Sequence, residues 1–256
     1  MTISAGRLQG KTALVTGSTR GLGRTTAEWL AREGANVVVS GRESDAVARS
    51  AEAIEALGVK AVGITADLTR IDEAHRLAQE AIAAVDHLDI LVNNAGMSIR
   101  GNFWEVTDTE WDEQVNVNWR SSFILAQHAA RHMIEHQIHG RIVNTSTIGT
   151  RACHPDGCVY DSAKGAVEVM TRNMAYELGP HGISVNCVVP GNIADRPGSV
   201  REDWWEQAAK RIPFGRVGKA EDIAAAVVFF CLPESEFTTG QSLLIDGGHD
   251  TYLPEF

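Results

Sequence analysis

The segment TALVTGSTRGLGRTTAEWLAREGANVVVS, residues 12–40, decides the fold class. An apolar run leads through a glycine-rich turn into a helical stretch, and a second apolar run follows. This order predicts a strand, a turn, a helix and a parallel strand. Gly17, Gly21 and Gly23 lie where the helix would begin, so backbone without Cβ atoms could approach a pyrophosphate there. The turn therefore predicts a dinucleotide site, although close packing of helix against sheet would also use these glycines.

Further apolar runs alternate with helical patterns along the whole chain. Strands that are apolar throughout and separated by helices indicate a parallel sheet covered on both faces. We therefore expect an α/β, doubly wound fold with right-handed crossovers. The predicted strands are 12–16, 36–40, 60–65, 89–94, 140–146, 183–189 and 242–247, and the predicted helices lie near 21–33, 44–57, 70–84, 108–137, 160–178 and 220–232.

The 256 residues contain no repeat or linker, so we expect a single domain over residues 1–256. The least regular part is a substrate-loop region at about 191–215, which carries Trp204 and Trp205. It could form a lid over a pocket. A surface helix that packs its tryptophans against a neighbouring subunit is an equally good interpretation.

Charge and composition exclude several classes of partner. The net charge is −10 and there is no basic run, so we expect neither nucleic acid nor an anionic membrane surface as a partner. The N-terminus lacks a signal peptide's apolar core, and no apolar run reaches the roughly 18 residues that a membrane span needs. We therefore expect a cytoplasmic protein with four free cysteines.

Two groups of metal-ligand residue types do not predict a metal site. The first is a set of four histidines spaced along a helix, with no clear acidic residue to complete a metal site. The second is a Cys/His/Asp group, which would need four ligands to converge on one point. We expect a solvated helix end and a pocket border instead. The groups are His128, His132, His136 and His139, and Cys153, His154, Asp156 and Cys158.

The end of the second strand, VVVSGRES, bears on which dinucleotide binds. An acid there would accept hydrogen bonds from ribose hydroxyls and repel a 2′-phosphate, but Gly41 takes its place and Arg42 follows. Arg20, in the glycine turn, could join Arg42 on a phosphate. We therefore expect NADP(H) rather than NAD(H). Both arginines could also be solvated surface charges, and Glu43 and Asp45 stand close by.

Motifs in a fixed order give the chain a close resemblance to the short-chain dehydrogenase/reductase family. They are TGSTRGLG (16–23), ADL (66–68), NNAG (93–96), NVNWRSSF (116–123), VYDSAKG (159–165), VVPGNI (188–193), RIPFGRVGKAEDIA (211–224) and TGQSLLIDGG (239–248). The resemblance covers nearly the whole chain. It implies a Rossmann-type domain with a seven-stranded parallel sheet, nicotinamide-dependent redox chemistry and, usually, a tetramer.

Tyr160 and Lys164 stand four positions apart, which places them on one face of a helix. Alone, such a pair could be chance on a solvated face. The resemblance makes Tyr160 the general acid/base and Lys164 the ligand of the nicotinamide ribose, with Asn118 holding a water chain to Lys164. For Asn118, a helix-bending or helix–helix polar contact is the alternative. A phenol has a pKa of about 10, and an ammonium a few Å away would lower it by roughly three units. We therefore expect Lys164 to lower the pKa of Tyr160.

A hydroxyl that orients the substrate oxygen is also implied. The family has a serine thirteen residues before the tyrosine and three after an asparagine, and both counts give Thr147. The spacing from Ser146 to Gly149 also resembles the family pattern, and neighbouring strand residues face opposite ways. We prefer Thr147 and leave Ser146 open. Substrate contacts are expected from Ser98, Ser146, Thr147, Cys153 and Tyr160.

The remaining cofactor contacts follow from the resemblance as well. Asp67 would accept from the adenine amine, although an aspartate that caps a turn is the alternative. Asp195 departs from the family pattern, which often has a threonine for the carboxamide there. Beyond the residues already discussed, the expected contacts are Ser18, Thr19, Leu22, Leu68, Asn94, Ala95, Gly96, Pro190, Gly191 and Ile193, together with Tyr160 and Lys164.

The sequence thus predicts an NADP(H)-dependent carbonyl reductase or alcohol dehydrogenase, acting as a homotetramer on a small ketone, keto-sugar or polyol. One alternative is a 3-oxoacyl carrier-protein reductase, and another is a nicotinamide-sensing regulator without turnover. Arg100 and Arg151 border the expected pocket and could attract an anionic substrate, or they could be solvated rim charges.

Overall fold

The computed structural model describes residues 6–195 and 202–251. Apolar, β-branched runs form its strands, because their side chains pack well on a pleated, buried surface. The strands are β1 (Thr12–Val15), β2 (Asn36–Gly41), β3 (Ala61–Thr65), β4 (Ile90–Asn93), β5 (Arg141–Thr145), β6 (Ser184–Pro190), β7 (Ile193–Ala194), β8 (Gly218–Lys219) and β9 (Ser242–Ile245). Seven of them form one parallel sheet in the order β3-β2-β1-β4-β5-β6-β9, and β7 pairs with β8 separately. The predicted seven-stranded parallel sheet is confirmed.

Helices cover both faces of this sheet, as the sequence predicts. They are α1 (Gly21–Arg32), α2 (Ser44–Glu55), α3 (Ile71–Ala83), α4 (Asp108–Val115), α5 (Ser121–Glu135), α6 (Cys158–Leu178), α7 (Glu202–Ala209) and α8 (Ala220–Cys231). One face packs against α1, α2 and α8, with buried residues such as Leu30 and Phe230. The other packs against α3, α5 and α6, where Leu77, Leu125 and Met133 are fully buried. None of the described helices is long and apolar enough to cross a membrane.

The strand order positions a crevice at the carboxyl edge of the sheet. Val15, near the end of β1, pairs with Val39 on one side and Val92 on the other. The chain winds outward from β1 through β2 and β3, then returns to begin the other half at β4. Ligands bind in doubly wound sheets where the winding direction reverses in this way. The fold therefore opens a site between the loops that follow β1 and β4.

The long helix predicted over 108–137 is interrupted. A π-helical turn at Asn116–Arg120 separates α4 from α5. Within it, the Asn118 amide donates to the Gln114 carbonyl and also to the Met97 carbonyl outside the helix. One wide turn therefore brings the Asn118 side chain to the loop after β4, and such turns are frequent at functional sites.

The region predicted at about 191–215 has more regular structure than its sequence indicates. It contains β7 and the short helix α7, where the rings of Trp204 and Trp205 meet edge to face at 4.7 Å. Trp204 is exposed. Residues 196–201 of this region lie outside the described part of the chain.

Candidate functional site

A cavity of about 720 Å³ runs along the carboxyl edge of the sheet from the glycine turn to α6. It is lined by residues from the loops after β1, β2, β3, β4, β5 and β6. Most of the residues predicted from the sequence line it, as do several that sequence reasoning missed. The predicted ones are Gly17, Thr19, Arg20, Leu22, Gly23, Arg42, Asp67, Leu68, Asn94, Ala95, Gly96, Ser98, Ser146, Thr147, Tyr160, Lys164, Pro190, Gly191 and Ile193.

The glycine turn has the backbone that a phosphate site needs. Gly17 and Gly21 have φ values of 62° and 55°, a left-handed conformation that favours glycine. A Cβ on Gly23 would overlap the Asn94 side chain and the Gly17 carbonyl. Because α1 begins at Gly21, its free backbone N–H groups lie beside the cavity. These observations fit a dinucleotide pyrophosphate.

Ser18 has a structural position in this turn. Its Oγ donates to the Val15 carbonyl at 2.7 Å and accepts from the Ser40 amide at 3.0 Å. The side chain is buried between β1 and β2 and does not line the cavity. Ser18 therefore holds the turn rather than presenting its hydroxyl to a ligand.

The end of the cavity beside β2 carries both predicted arginines. Arg20 and Arg42 are exposed and line the same cavity, together with Glu43. A Cβ on Gly41 would lie 2.6 Å from the Thr19 Cγ2 atom, so an acidic side chain does not fit at that position without displacement. This end therefore combines the guanidinium groups of Arg20 and Arg42 with the Glu43 carboxylate.

Asp67 takes the turn-capping position that was the alternative to adenine binding. Its Oδ1 atom accepts from the Thr69 amide at 3.1 Å and from the Thr69 hydroxyl at 2.9 Å. The residue also lines the cavity. Both hydrogen bonds go to Oδ1, and they fix the orientation of the Asp67 carboxylate in the cavity wall.

The loop after β4 is tied to the glycine turn. The Thr16 hydroxyl accepts from the amides of Asn94 and Ala95, both at 3.0 Å, and the Asn94 side chain donates to the Thr16 carbonyl at 2.8 Å. Asn93 instead donates to Asn144 on β5 at 2.9 Å. These contacts fix the sheet edge on which a ligand would lie.

Asn118 and Lys164 lie behind Gly96, and both are buried. The Asn118 Oδ1 atom accepts from the Met97 amide at 3.2 Å, and Lys164 donates to the Thr145 carbonyl at 2.8 Å. A Cβ on Gly96 would lie 3.0 Å from Asn118 Oδ1 and 3.4 Å from Lys164 Nζ. Burial lowers the pKa of Lys164 to about 8. Asn118 itself does not line the cavity, but Gly96 and Met97, which it contacts, do.

The predicted effect of Lys164 on Tyr160 is wrong for the protein alone. Burial raises the pKa of the Tyr160 phenol, and a hydrogen bond from Thr147 acts in the opposite direction. The negative charge of Asp161 raises this pKa further, and the positive charge of Arg100 lowers it. Desolvation disfavours the phenolate and has the largest effect on this pKa, while the Lys164 ammonium donates to the Thr145 carbonyl.

The two candidate hydroxyls differ in what they contact. Thr147 and Tyr160 line the main cavity together. The Ser146 hydroxyl turns to α6, where it contacts Glu168 Oε1 at 2.7 Å and the Lys164 carbonyl at 3.2 Å. Glu168 also accepts from Thr150 at 2.6 Å. The Ser146 hydroxyl therefore donates its hydrogen bond to a protein acceptor, whereas Thr147 lies next to Tyr160 in the cavity wall.

The loop between β5 and α6 lies on the far side of Tyr160. Cys153 is exposed and lines a neighbouring cavity of about 410 Å³ rather than the main one. Arg100 donates to the Pro155 carbonyl at 3.0 Å, and Arg151 approaches Asp250 at 3.9 Å. In the described ranges, no three or more His, Cys, Asp or Glu residues come together as a metal site would require.

Several residues that line the main cavity were not among the predicted site residues. Asp195 was noted as unusual, but its carboxylate lies close to Gly21, 2.6 Å from where a Cβ would stand. The others occupy positions beside predicted motifs, so proximity to those motifs was the available signal. They are Ser40, Gly41, Glu43, Ala46, Ala66, Thr69, Met97, Val117, Thr145 and Asp195.

The chain is similar to known proteins over nearly its whole length. A family model described as Enoyl-(Acyl carrier protein) reductase matches residues 17–250. The short-chain reductase protein NovJ of Streptomyces niveus is 37% identical over 252 residues, covering 94% of each chain. Gluconate 5-dehydrogenase of Gluconobacter oxydans is 36% identical over 248 residues, covering 94% of this chain and 95% of its own. A Burkholderia cenocepacia gluconate 5-dehydrogenase, solved with NADP and tartrate, is 32% identical, with a TM-score of 0.89 over 99% of this chain and 100% of its own.

Proposed function

The chain belongs to the short-chain dehydrogenase/reductase family, and on that premise we propose that it is an NADP(H)-dependent oxidoreductase acting on a ketone or secondary alcohol. One observation carries the proposal. Tyr160, the neighbouring Thr147 and the buried Lys164 line the same cavity as the glycine turn. This arrangement supports transfer of a hydride and a proton at one carbon–oxygen bond.

A nicotinamide cofactor bound in this cavity would supply or accept the hydride at the substrate carbon. In reduction, Tyr160 gives its phenolic proton to the carbonyl oxygen; in oxidation, the deprotonated phenol takes the proton of the alcohol. Thr147 donates a hydrogen bond that orients the oxygen. Lys164 would hold the nicotinamide ribose, and Asn118 would support a water chain that returns protons to Lys164.

The preference for NADP(H) is proposed from Arg20 and Arg42. Both line the adenosine end of the cavity, where guanidinium groups suit a phosphate. The Burkholderia cenocepacia relative was solved with NADP, which favours the same assignment. Glu43, at the same end, opposes it through its negative charge.

The cofactor assignment is tested by the ratio of kcat/KM for NADPH to that for NADH. Arg42→Ala should lower this ratio about tenfold or more, because a charge-assisted hydrogen bond is lost. Arg49→Ala is the matched control, since Arg49 is an exposed arginine on α2 outside the cavity lining. A parent enzyme that uses NADH better would overturn the assignment.

A small ketone, keto-sugar or polyol is the proposed substrate class. The alternative is a 3-oxoacyl thioester on an acidic carrier protein, which would need a basic docking surface; the net charge of −10 speaks against it. NADPH consumption over ketones, keto-sugars and acyl thioesters distinguishes the two. Tyr160→Phe should abolish turnover. Tight NADPH binding without turnover on any carbonyl or alcohol would instead favour a nicotinamide sensor.

We also propose a cytoplasmic homotetramer. Large apolar side chains stand exposed on α4, α5, α6 and the turn between α4 and α5, where a second copy could cover them. They are Trp111, Trp119, Phe123, Val169 and Tyr176. Sedimentation analysis that finds a monomer at micromolar concentration would refute the assembly.

A further inference from the structure

His154 is held by a carboxylate beside the candidate catalytic tyrosine. Asp161, the residue after Tyr160, accepts from the His154 ring at 2.7 Å and from the His154 backbone amide at 2.8 Å. The rings of His154 and Tyr160 are 6.2 Å apart between centroids, at 58°. The histidine is therefore fixed at two points while its side chain stays partly exposed.

The loop around His154 is built to keep this pair in place. A Cβ on Gly149 would overlap Asp161 Oδ1 and His154 Nδ1, so glycine leaves the space that the pair occupies. From the other side, the segment after β4 braces the loop: Arg100 donates to the Pro155 carbonyl at 3.0 Å, and the Gly101 amide donates to the Asp156 carbonyl at 3.1 Å.

The contact with Asp161 sets the chemistry of the outer ring nitrogen. An ionised carboxylate can only accept hydrogen bonds, so His154 Nδ1 carries the proton. In the neutral ring, Nε2 is then an acceptor with a fixed direction. Within the described ranges, Nε2 makes no hydrogen bond to protein. A neutral acceptor of this kind matches a hydroxyl group, and the charge of Asp161 disfavours an anion at the same place.

The rings of His154 and Tyr160, 6.2 Å apart between centroids, line two different cavities. Tyr160 lines the main cavity, and His154 and Asp161 line the neighbouring cavity of about 410 Å³, with the exposed rings of Phe103 and Trp104 at its rim. Because the two ring centroids are 6.2 Å apart, a small substrate whose carbonyl lies at Tyr160 has the length to bring a second polar group to the His154 ring.

We propose that His154 is a specificity-determining residue whose Nε2 atom accepts a hydrogen bond from a hydroxyl of the substrate, so that hydroxylated ketones are favoured over plain ketones of the same size. Asp161 is the positioning residue that fixes the ring. This inference rests on the proposed function and narrows its substrate class to hydroxy-ketones and polyols. The arginines considered for an anion, Arg100 and Arg151, instead contact the loop and Asp250.

The test measures binding, so that it does not depend on turnover. In the Tyr160→Phe protein saturated with NADPH, calorimetry gives Kd for cyclohexanone and for 2-, 3- and 4-hydroxycyclohexanone. We expect at least one hydroxylated ketone to bind about fivefold to tenfold more tightly than cyclohexanone. Adding His154→Phe, which keeps a ring of similar size, should abolish that preference and change the Kd of cyclohexanone by less than twofold.

Two further variants separate specificity from structure. Asp161→Asn leaves the ring in place but lets either nitrogen carry the proton, so an intermediate preference is expected. His181→Phe, at an exposed histidine in the turn after α6, is the matched control and should keep the full preference. No preference in the parent, or equal weakening of all four ketones by His154→Phe, would overturn the inference. Absence of NADPH consumption by the unmodified enzyme would refute the reductase proposal instead.

Discussion

Replacing the hydroxyls of Thr147 and Ser146 one at a time should separate activity from stability. Thr147 lines the main cavity together with Tyr160, whereas Ser146 contacts Glu168 at 2.7 Å and the Lys164 carbonyl at 3.2 Å. Thr147→Val removes a hydroxyl and keeps the branched shape. Ser146→Ala removes the neighbouring hydroxyl. The two variants differ by one position along the chain and by the direction in which the lost group points.

The structure sets different magnitudes for the two changes. A preorganised donor to a reacting oxygen is worth about 10²–10³ in kcat, so Thr147→Val should lose that factor. Its hydroxyl accepts from the Gly149 amide at a long 3.4 Å, so little stability is lost. Ser146→Ala breaks a hydrogen bond to a carboxylate, worth about 1.5–3 kcal/mol. For a chain of this size, that lowers Tm by roughly 3–10 °C.

Initial rates of NADPH oxidation and thermal unfolding of the same samples check both expectations. Glu168→Gln is the control for Ser146→Ala, because it keeps an acceptor for Ser146 and Thr150. Glu168→Gln should retain most of the parent's Tm and keep kcat within a few fold of the parent's value. Loss of kcat by 10² in Ser146→Ala at an unchanged Tm, with Thr147→Val still active, would refute the assignment of Thr147.

Two other perturbations test the buried layer behind the cavity. Folding lowers the pKa of Lys164 from 10.5 to about 8, so between these pH values the unfolded chain binds more protons than the folded one. The free energy of unfolding of the parent without cofactor, relative to that of Lys164→Met, should therefore rise by about 3 kcal/mol from pH 8 to 10.5. Chemical denaturation of both proteins at these two pH values measures it. An unchanged difference across this range would contradict the burial argument. Gly96→Ala places a Cβ 3.0 Å from Asn118 Oδ1, and the Asn118 side-chain amide is held by hydrogen bonds through both its oxygen and its nitrogen. Chemical denaturation should therefore show a loss of about 1–3 kcal/mol in the free energy of unfolding. The control Gly101→Ala, where nothing lies within 4 Å of the new Cβ, should lose less than about 0.5 kcal/mol.

The sequence predicted the sheet because each strand is a short, apolar run between helical patterns, a local signal that survives without tertiary information. It did not predict the π-helical turn at Asn116–Arg120, because the hydrogen bond that stabilises it joins Asn118 to the distant Met97 carbonyl. The same limit applies to the choice between Thr147 and Ser146. Spacing gives both, and only the position of Glu168 on α6 separates their surroundings.

Pairwise charge reasoning also failed for Tyr160, since it counted the Lys164 ammonium and omitted desolvation. Spacing along a helix places two groups on one face but does not say how dry that face is. In the fold, burial acts on both groups, raising the pKa of Tyr160 and lowering that of Lys164. The cost of charging a buried group therefore had to be read from the structure.

The raised pKa of Tyr160 bears on how the rates of reduction and oxidation depend on pH. A phenol whose pKa is raised above 10 keeps its proton at neutral pH, so Tyr160 is ready to act as an acid and is rarely available as a base. Reduction of a ketone needs the acid, whereas oxidation of an alcohol needs the base. We therefore expect kcat for reduction to be level between pH 6 and 8, and kcat for oxidation to rise with pH over the same range. Full pH profiles in both directions check this. An oxidation rate that is maximal at or below pH 7 would mean that bound cofactor reverses the effect of burial, and the electrostatics of the protein alone would then not govern the proton transfer.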